Sequence, residues 1–208
     1  NKLPHLLIHY GMEVIFDYNN VDDYLNPSRG LNVRANPSMH GIVIGGDYNY
    51  IKFLSDIRYY FPVSTTTTLA TRFQYGAIIA FSNIFSTSGY ESVPPSYDLF
   101  YIGGQPTLRG WDSVSDLCDC SLDAGEGGEK YKFLLNVEIR RNLFDKFGLQ
   151  LFFDCGETSN SNLFFNNLKW NIGYGLSYMT PVGPITFNVG YPFAKKNPSF
   201  HFSFLYMF

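Results

Sequence analysis

Apolar and polar residues alternate with period two along most of this chain. In 6–18 the even positions read Leu6, Ile8, Tyr10, Met12, Val14, Phe16 and Tyr18, while the odd ones include His9, Gly11, Glu13 and Asp17. Successive side chains of a strand point to opposite faces, so this alternation predicts strands with one apolar and one polar face. It recurs at 50–61, 65–81, 131–142, 147–155, 170–178, 185–191 and 200–208. A weaker strand at 31–35 follows the turn Asn26-Pro27-Ser28-Arg29-Gly30, which makes about nine strands. In 131–142, Phe133, Leu135, Val137 and Ile139 face away from Lys132, Asn136, Glu138 and Arg140. In 147–155, Leu149, Leu151 and Phe153 face away from Gln150 and Asp154.

A soluble sandwich also alternates. Two features favour a membrane barrel. Several runs reach ten residues or more, against a usual five or six. Their polar faces also carry Gly, Asn and Thr beside isolated charges such as Arg34, Lys52, Asp56, Arg58 and Arg72, as a wet lumen would. Short turns at 62–64, 143–146 and 180–183 alternate with long loops near 40–49, 83–130, 156–168 and 192–199. Outer-membrane barrels have short periplasmic turns, long outer loops and, in bacteria, even strand counts. The fold class expected is therefore all-β, a transmembrane antiparallel β-barrel. An odd count whose first strand starts on the outer side predicts the C-terminal portion of a larger barrel, with 1–208 forming part of one domain.

Composition agrees. Charged residues make up 16% and aromatics 18%, and Phe and Tyr supply 36 of the 38 aromatics. Those residues suit strands and membrane interfaces. Mean hydropathy is near zero (−0.09), as expected when only one face of each strand is apolar. No apolar run reaches the length of a membrane helix. A net charge of −3 leaves no footprint for nucleic-acid binding. Cys118 and Cys120 read as loop thiols and Cys155 as a small apolar strand residue. His5 and His9 lie too far apart along a strand to share an ion, so no metal site is expected. With no nucleophile elbow and no phosphate loop, no catalytic residues, cofactor or enzymatic activity are expected.

The candidate chemistry lies in the longest loop, at Tyr101-Ile-Gly-Gly-Gln-Pro-Thr-Leu-Arg-Gly-Trp111. This stretch resembles the long-loop motif of the BamA/TamA-type outer-membrane assembly and translocation superfamily, also called bacterial surface antigens. Thr180-Pro-Val-Gly-Pro-Ile-Thr-Phe-Asn-Val-Gly-Tyr-Pro-Phe193 resembles that family's penultimate hairpin, and Phe152-Phe-Asp-Cys-Gly156 a strand ending in Asp-x-Gly. The final aromatics resemble the outer-membrane sorting signal. Two places depart from the family. Asn20-Val-Asp22-Asp23 lacks the arginine of the usual Asp-x-Arg-Asp, and no glycine in 199–208 provides the kink that some members have in the last strand.

The resemblance implies a barrel of about 16 strands, an even count, and a loop at about 84–130 that folds into the lumen. Arg109 would meet acidic residues of the wall, for which strand parity offers Glu138 and Asp154. Gly103, Gly104 and Gly110 would let the backbone turn against the wall, while Leu108 and Trp111 pack the tip. Phe200, Phe202, Phe204, Tyr206 and Phe208 would share one face of a terminal strand, serving as sorting signal and one side of a lateral seam. The expected function is outer-membrane protein assembly or translocation. The expected partners are outer-membrane lipid, unfolded outer-membrane or secreted clients, and accessory lipoproteins or periplasmic factors. The alternative is the membrane anchor or secretion barrel of a patatin-like esterase or a dedicated two-partner system. A bacterial outer membrane is the expected location, with an organellar outer membrane as the alternative.

Overall fold

Among the described residues, ten strand segments form one antiparallel sheet in the computed structural model. They are β1 (Gly11–Glu13), β2 (Phe16–Asn19), β3 (Gly30–His40), β4 (Tyr50–Ser64), β5 (Thr67–Ala80), β6 (Tyr131–Phe144), β7 (Phe147–Ser159), β8 (Lys169–Thr180), β9 (Gly183–Pro192) and β10 (Ser199–Phe204). The structure describes residues 9–41, 48–81, 94–111, 128–144, 146–161, 167–194 and 197–208. Cys118, Cys120 and His5 lie outside these residues.

Each strand from β3 onward pairs with the next, so the sheet is a meander. The segments β1 and β2 both pair with β3 in one register, Gly11 opposite His40 and Phe16 opposite Ala35. They are one strand, interrupted opposite Pro37, which has no N–H to give to the ladder. Nine staves therefore result among the described residues, in line with the alternation of the sequence. Their edges move by a few residues. The segment 31–35 extends to eleven residues in β3, and β4 runs through Pro62 with a bulge between Pro62 and Ser64. The first short turn thus falls after Ser64 rather than at 62–64.

The two faces differ as a barrel wall requires. Phe53, Tyr59, Phe61, Ile139, Leu151, Trp170, Ile172, Tyr174, Leu176 and Phe187 are exposed on the outer face. Asp56, Arg72, Gln74, Asn136, Glu138, Gln150, Asp154, Asn171 and Asn188 are buried on the other. A water-soluble sheet would place these sets the other way round. The strands β4 to β9 hold between 10 and 15 residues, enough to cross a bilayer core, which takes about 9–11 tilted residues. Cys155 is buried and free.

The departure at Asn20-Val-Asp22-Asp23 has a local explanation. Asp22 accepts bonds from the backbone N–H groups of Ser28 (2.9 Å) and Arg29 (3.1 Å). Asp23 accepts from Leu25 (2.7 Å) and Asn26 (3.1 Å). The two aspartates hold the turn through its own backbone donors, which requires no arginine.

Candidate functional site

The lumen face of β6, β7 and β8 presents Asn136, Glu138, Phe152, Asp154, Asn171 and Gly173. Their pairing is direct: Asn136 lies opposite Asp154 in the β6–β7 ladder, and Asp154 opposite Asn171 in β7–β8. Asp154 therefore has an amide on each side. Asn136 Nδ2 donates to Asp154 Oδ1 at 2.9 Å, and Asn171 Nδ2 to Asp154 Oδ2 at 3.0 Å.

Residues 103–111 close a tight loop over this face. Gly103 and Gly104 take φ values of 121° and 79°, a region that side chains disfavour. Gly104 N–H donates to the Trp111 carbonyl at 2.6 Å, and Gly103 N–H to Thr107 Oγ1 at 2.7 Å. Leu108 and Trp111 pack with Ile102 and Leu134 in a buried cluster. Gly110 lies so close to the wall that a Cβ there would meet Asn171 Cβ at 2.5 Å.

The loop brings Arg109 into the wall. Its Nη1 donates to Glu138 Oε2 at 2.5 Å, its Nη2 to Asp154 Oδ1 at 2.8 Å and its Nε to Asp154 Oδ2 at 3.0 Å. The two bonds to Asp154 are the parallel fork that only a guanidinium provides. The Phe152 ring lies 3.5 Å from Arg109 Cζ, a cation–π contact. Gly173 leaves room for that ring, because a Cβ there would come within 2.3 Å of Phe152 Cζ. Arg140 Nε donates to the other Glu138 oxygen at 2.7 Å. Arg109, Glu138 and Asp154 have no exposed side-chain surface. The buried cluster holds two guanidiniums and two carboxylates, so its charges balance. Charge balance, and hydrogen bonds to all four carboxylate oxygens, are what make such burial tolerable.

The loop also reaches the last strand. His201 Nε2 donates to the Arg109 carbonyl at 2.7 Å, Ser199 Oγ to the Gly110 carbonyl at 3.1 Å, and Gln105 Nε2 to Ser203 Oγ at 2.9 Å. On the opposite flank Arg72, itself held by Asp56, donates to the Pro106 carbonyl at 3.1 Å. The sequence reading missed Phe152, Gly173, Asn171 and His201 as parts of this site, and also Gly190, where a Cβ would lie 2.5 Å from the Arg109 carbonyl oxygen. Parity alone would have turned them inward, but nothing in the sequence distinguishes them from other lumen residues.

The terminal aromatics need a correction. Phe200, Phe202 and Phe204 are exposed on the outer face, but Tyr206 and Phe208 do not share it. The strand stops at Phe204, and Leu205 takes a positive φ of 72°. The tail then turns to the lumen, where Phe208 packs with Tyr60 and Ala70. The cause is that the neighbouring strand ends. Phe204 pairs with Ile185 and Leu205 N–H reaches the Pro184 carbonyl, beside the β8–β9 turn. Beyond it Arg140 supplies the next donor, its Nη2 bonding the Phe208 carbonyl at 2.6 Å with its guanidinium 4.0 Å from the Tyr206 ring. The kink thus forms without glycine. Phe208→Ala is expected to lower the temperature at which the barrel loses its compact electrophoretic mobility, because the site buries a whole ring. An unchanged temperature would mean that the tail does not brace the wall.

A family model of the Omp85 superfamily domain matches residues 10–205. The outer membrane protein assembly factor BamA of Nitratidesulfovibrio vulgaris is 28% identical over 186 residues, covering 86% of this chain and 22% of that protein. BamA of Neisseria meningitidis serogroup B is 25% identical over 214 residues, covering 86% and 26%. The chain thus spans about a quarter of the curated relatives it matches. The crystal structure of BamA from Haemophilus ducreyi lacking POTRA domains 1–3 superposes with a TM-score of 0.73 at 17% identity, over 92% of this chain and 40% of that one. That likeness shows the fold. An antiparallel sheet with an apolar outside and a charged inside, matched by one family over nearly its whole length, identifies this bacterial outer-membrane chain as belonging to the Omp85 superfamily.

Proposed function

We propose that this chain is part of a 16-stranded barrel that assembles proteins into the outer membrane, without covalent chemistry of its own. The observation that carries this reading is the double attachment of the loop tip. Residues 105–110 are bonded to the charged wall on one side and to β10 on the other. Among the described residues β10 pairs with β9 alone. An edge strand carries unpaired N–H and C=O groups that template a further strand. A client strand adding at β10 would lie beside a strand whose lumen face is held by the loop. Unfolded outer-membrane proteins are the proposed clients, with accessory lipoproteins or periplasmic factors as partners.

Depletion of the full-length protein from its source cell tests this. Folded, heat-modifiable outer-membrane barrels should fall across the envelope. Unchanged barrel levels would overturn general assembly and favour a dedicated secretion pore or an anchored esterase.

A further inference from the structure

We propose that His9, His40 and Asp98 form a binding site for a zinc-class divalent transition ion beside the first leg of the long loop. The three residues come from separate segments: His9 precedes β1, His40 ends β3, and Asp98 lies in the short 3-10 turn Ser96–Asp98 of the loop. Their ligand atoms all lie within 4.8 Å of one another. His9 Nε2 is 2.8 Å from His40 Nδ1 and 3.9 Å from Asp98 Oδ2. Two imidazoles and a carboxylate are a donor set that suits zinc and its neighbours.

The supporting contacts also fit a metal site. Each histidine uses one nitrogen toward the cluster and has the other held by a hydroxyl. His9 Nδ1 is 2.7 Å from Tyr97 Oη, and His40 Nε2 is 3.0 Å from Ser38 Oγ. Outer partners of this kind fix ring orientation in metal-binding histidines. The His40 ring stacks on Tyr50 with centroids 4.3 Å apart. Gly11 makes the space for it, since a Cβ there would meet His40 Nδ1 at 2.3 Å. The two facing nitrogens now share a hydrogen bond, which needs one donor and one acceptor. An ion would bind a lone pair of each facing nitrogen, the proton between them moving to the far nitrogen of its own ring, where a hydroxyl oxygen can accept it.

Asp98 is suited to the third position. Burial opposes its ionisation, but hydrogen bonding from Tyr50 and the charge of Lys52 outweigh it and hold the carboxyl below its usual range. Lys52 Nζ engages Asp98 Oδ1 at 3.2 Å, while Oδ2 faces His9. The ammonium therefore leaves Oδ2 to the ion, which would share that oxygen with the Tyr50 hydroxyl that donates to it. A cavity of about 400 Å³, lined by His9, His40, Lys52 and Asp98 among others, leaves room for water to complete the coordination shell. Binding one ion would need Asp98 to move toward the two rings, from separations of up to 4.8 Å. A bound ion would join the loop to β1 and β3, far along the loop from the Arg109 anchor.

Isothermal titration of the folded full-length protein in detergent micelles with zinc chloride tests the site. One equivalent of saturable binding is expected, together with the visible absorption of cobalt(II) in a low-symmetry site when cobalt replaces zinc. His40→Gln and Asp98→Asn should each weaken binding by about 100-fold or more, and Tyr97→Phe by about tenfold, since outer partners alone contribute about 10–100-fold. Unboiled gel mobility shows whether each variant is folded. Absence of saturable binding to the parent protein would overturn the proposal. So would equal affinity in a folded His9→Ala/His40→Gln double variant, which would leave the cluster a hydrogen-bond network only. The readout is binding alone, so it stands or falls independently of any role in assembly.

Discussion

Arg109→Ala is expected to destabilise the barrel more than any other single change in the loop tip. It leaves Glu138 with only Arg140 and removes the guanidinium fork from Asp154, with all of these groups buried. Breaking a buried pair by removing one partner costs about 3–5 kcal/mol, and less where water enters. Arg109→Lys should recover little, because a point charge cannot make the fork or stack on Phe152. The informative comparison is a paired variant, Arg109→Met with Asp154→Asn, which leaves Glu138 and Arg140 bonded to each other. Replacing a buried ion pair by neutral groups is often near neutral, so the paired variant should be more stable than Arg109→Ala alone. The measurement is the temperature at which the compact gel mobility of each purified variant is lost. A paired variant no better than Arg109→Ala would sink the idea that stranded charge is the cause. If the paired variant regains stability but not assembly activity in cells, the charges serve function as well as bracing.

The second large effect is expected at Gly190 of β9. A Cβ there would lie 2.5 Å from the Arg109 carbonyl oxygen and 2.8 Å from Gly110 N. Both are backbone atoms, and the Arg109 carbonyl is already bonded to His201. Neither atom can swing aside, so Gly190→Ala must lift the loop from the wall. Overpacking of this kind costs about 1–3 kcal/mol, and the displaced Arg109 adds its own loss. A double-variant cycle with Arg109→Ala separates the two contributions. If the glycine acts by seating the loop, Gly190→Ala should cost less once Arg109 is gone. Strict additivity would show instead that the two sites are independent.

The sequence by itself determined the staves, their faces and the chemistry available inside. Period two needs no long-range information, since each residue's face follows from its neighbours' parity. The same parity put Glu138 and Asp154 on the lumen side, where both lie within hydrogen-bond reach of Arg109. Only the tertiary structure decided which lumen residues meet. Strand register set Asn136 and Asn171 on either side of Asp154, and the approach of the loop selected Gly190 and His201. His9 and His40 are 31 positions apart, and their contact exists because β1 pairs with β3. Leu205 turns the tail inward because the ladder runs out beside the β8–β9 turn and Arg140 offers the next donor. Alternation is local and therefore legible, whereas register, loop closure and the ends of hydrogen-bond ladders depend on partners that no short stretch of sequence contains.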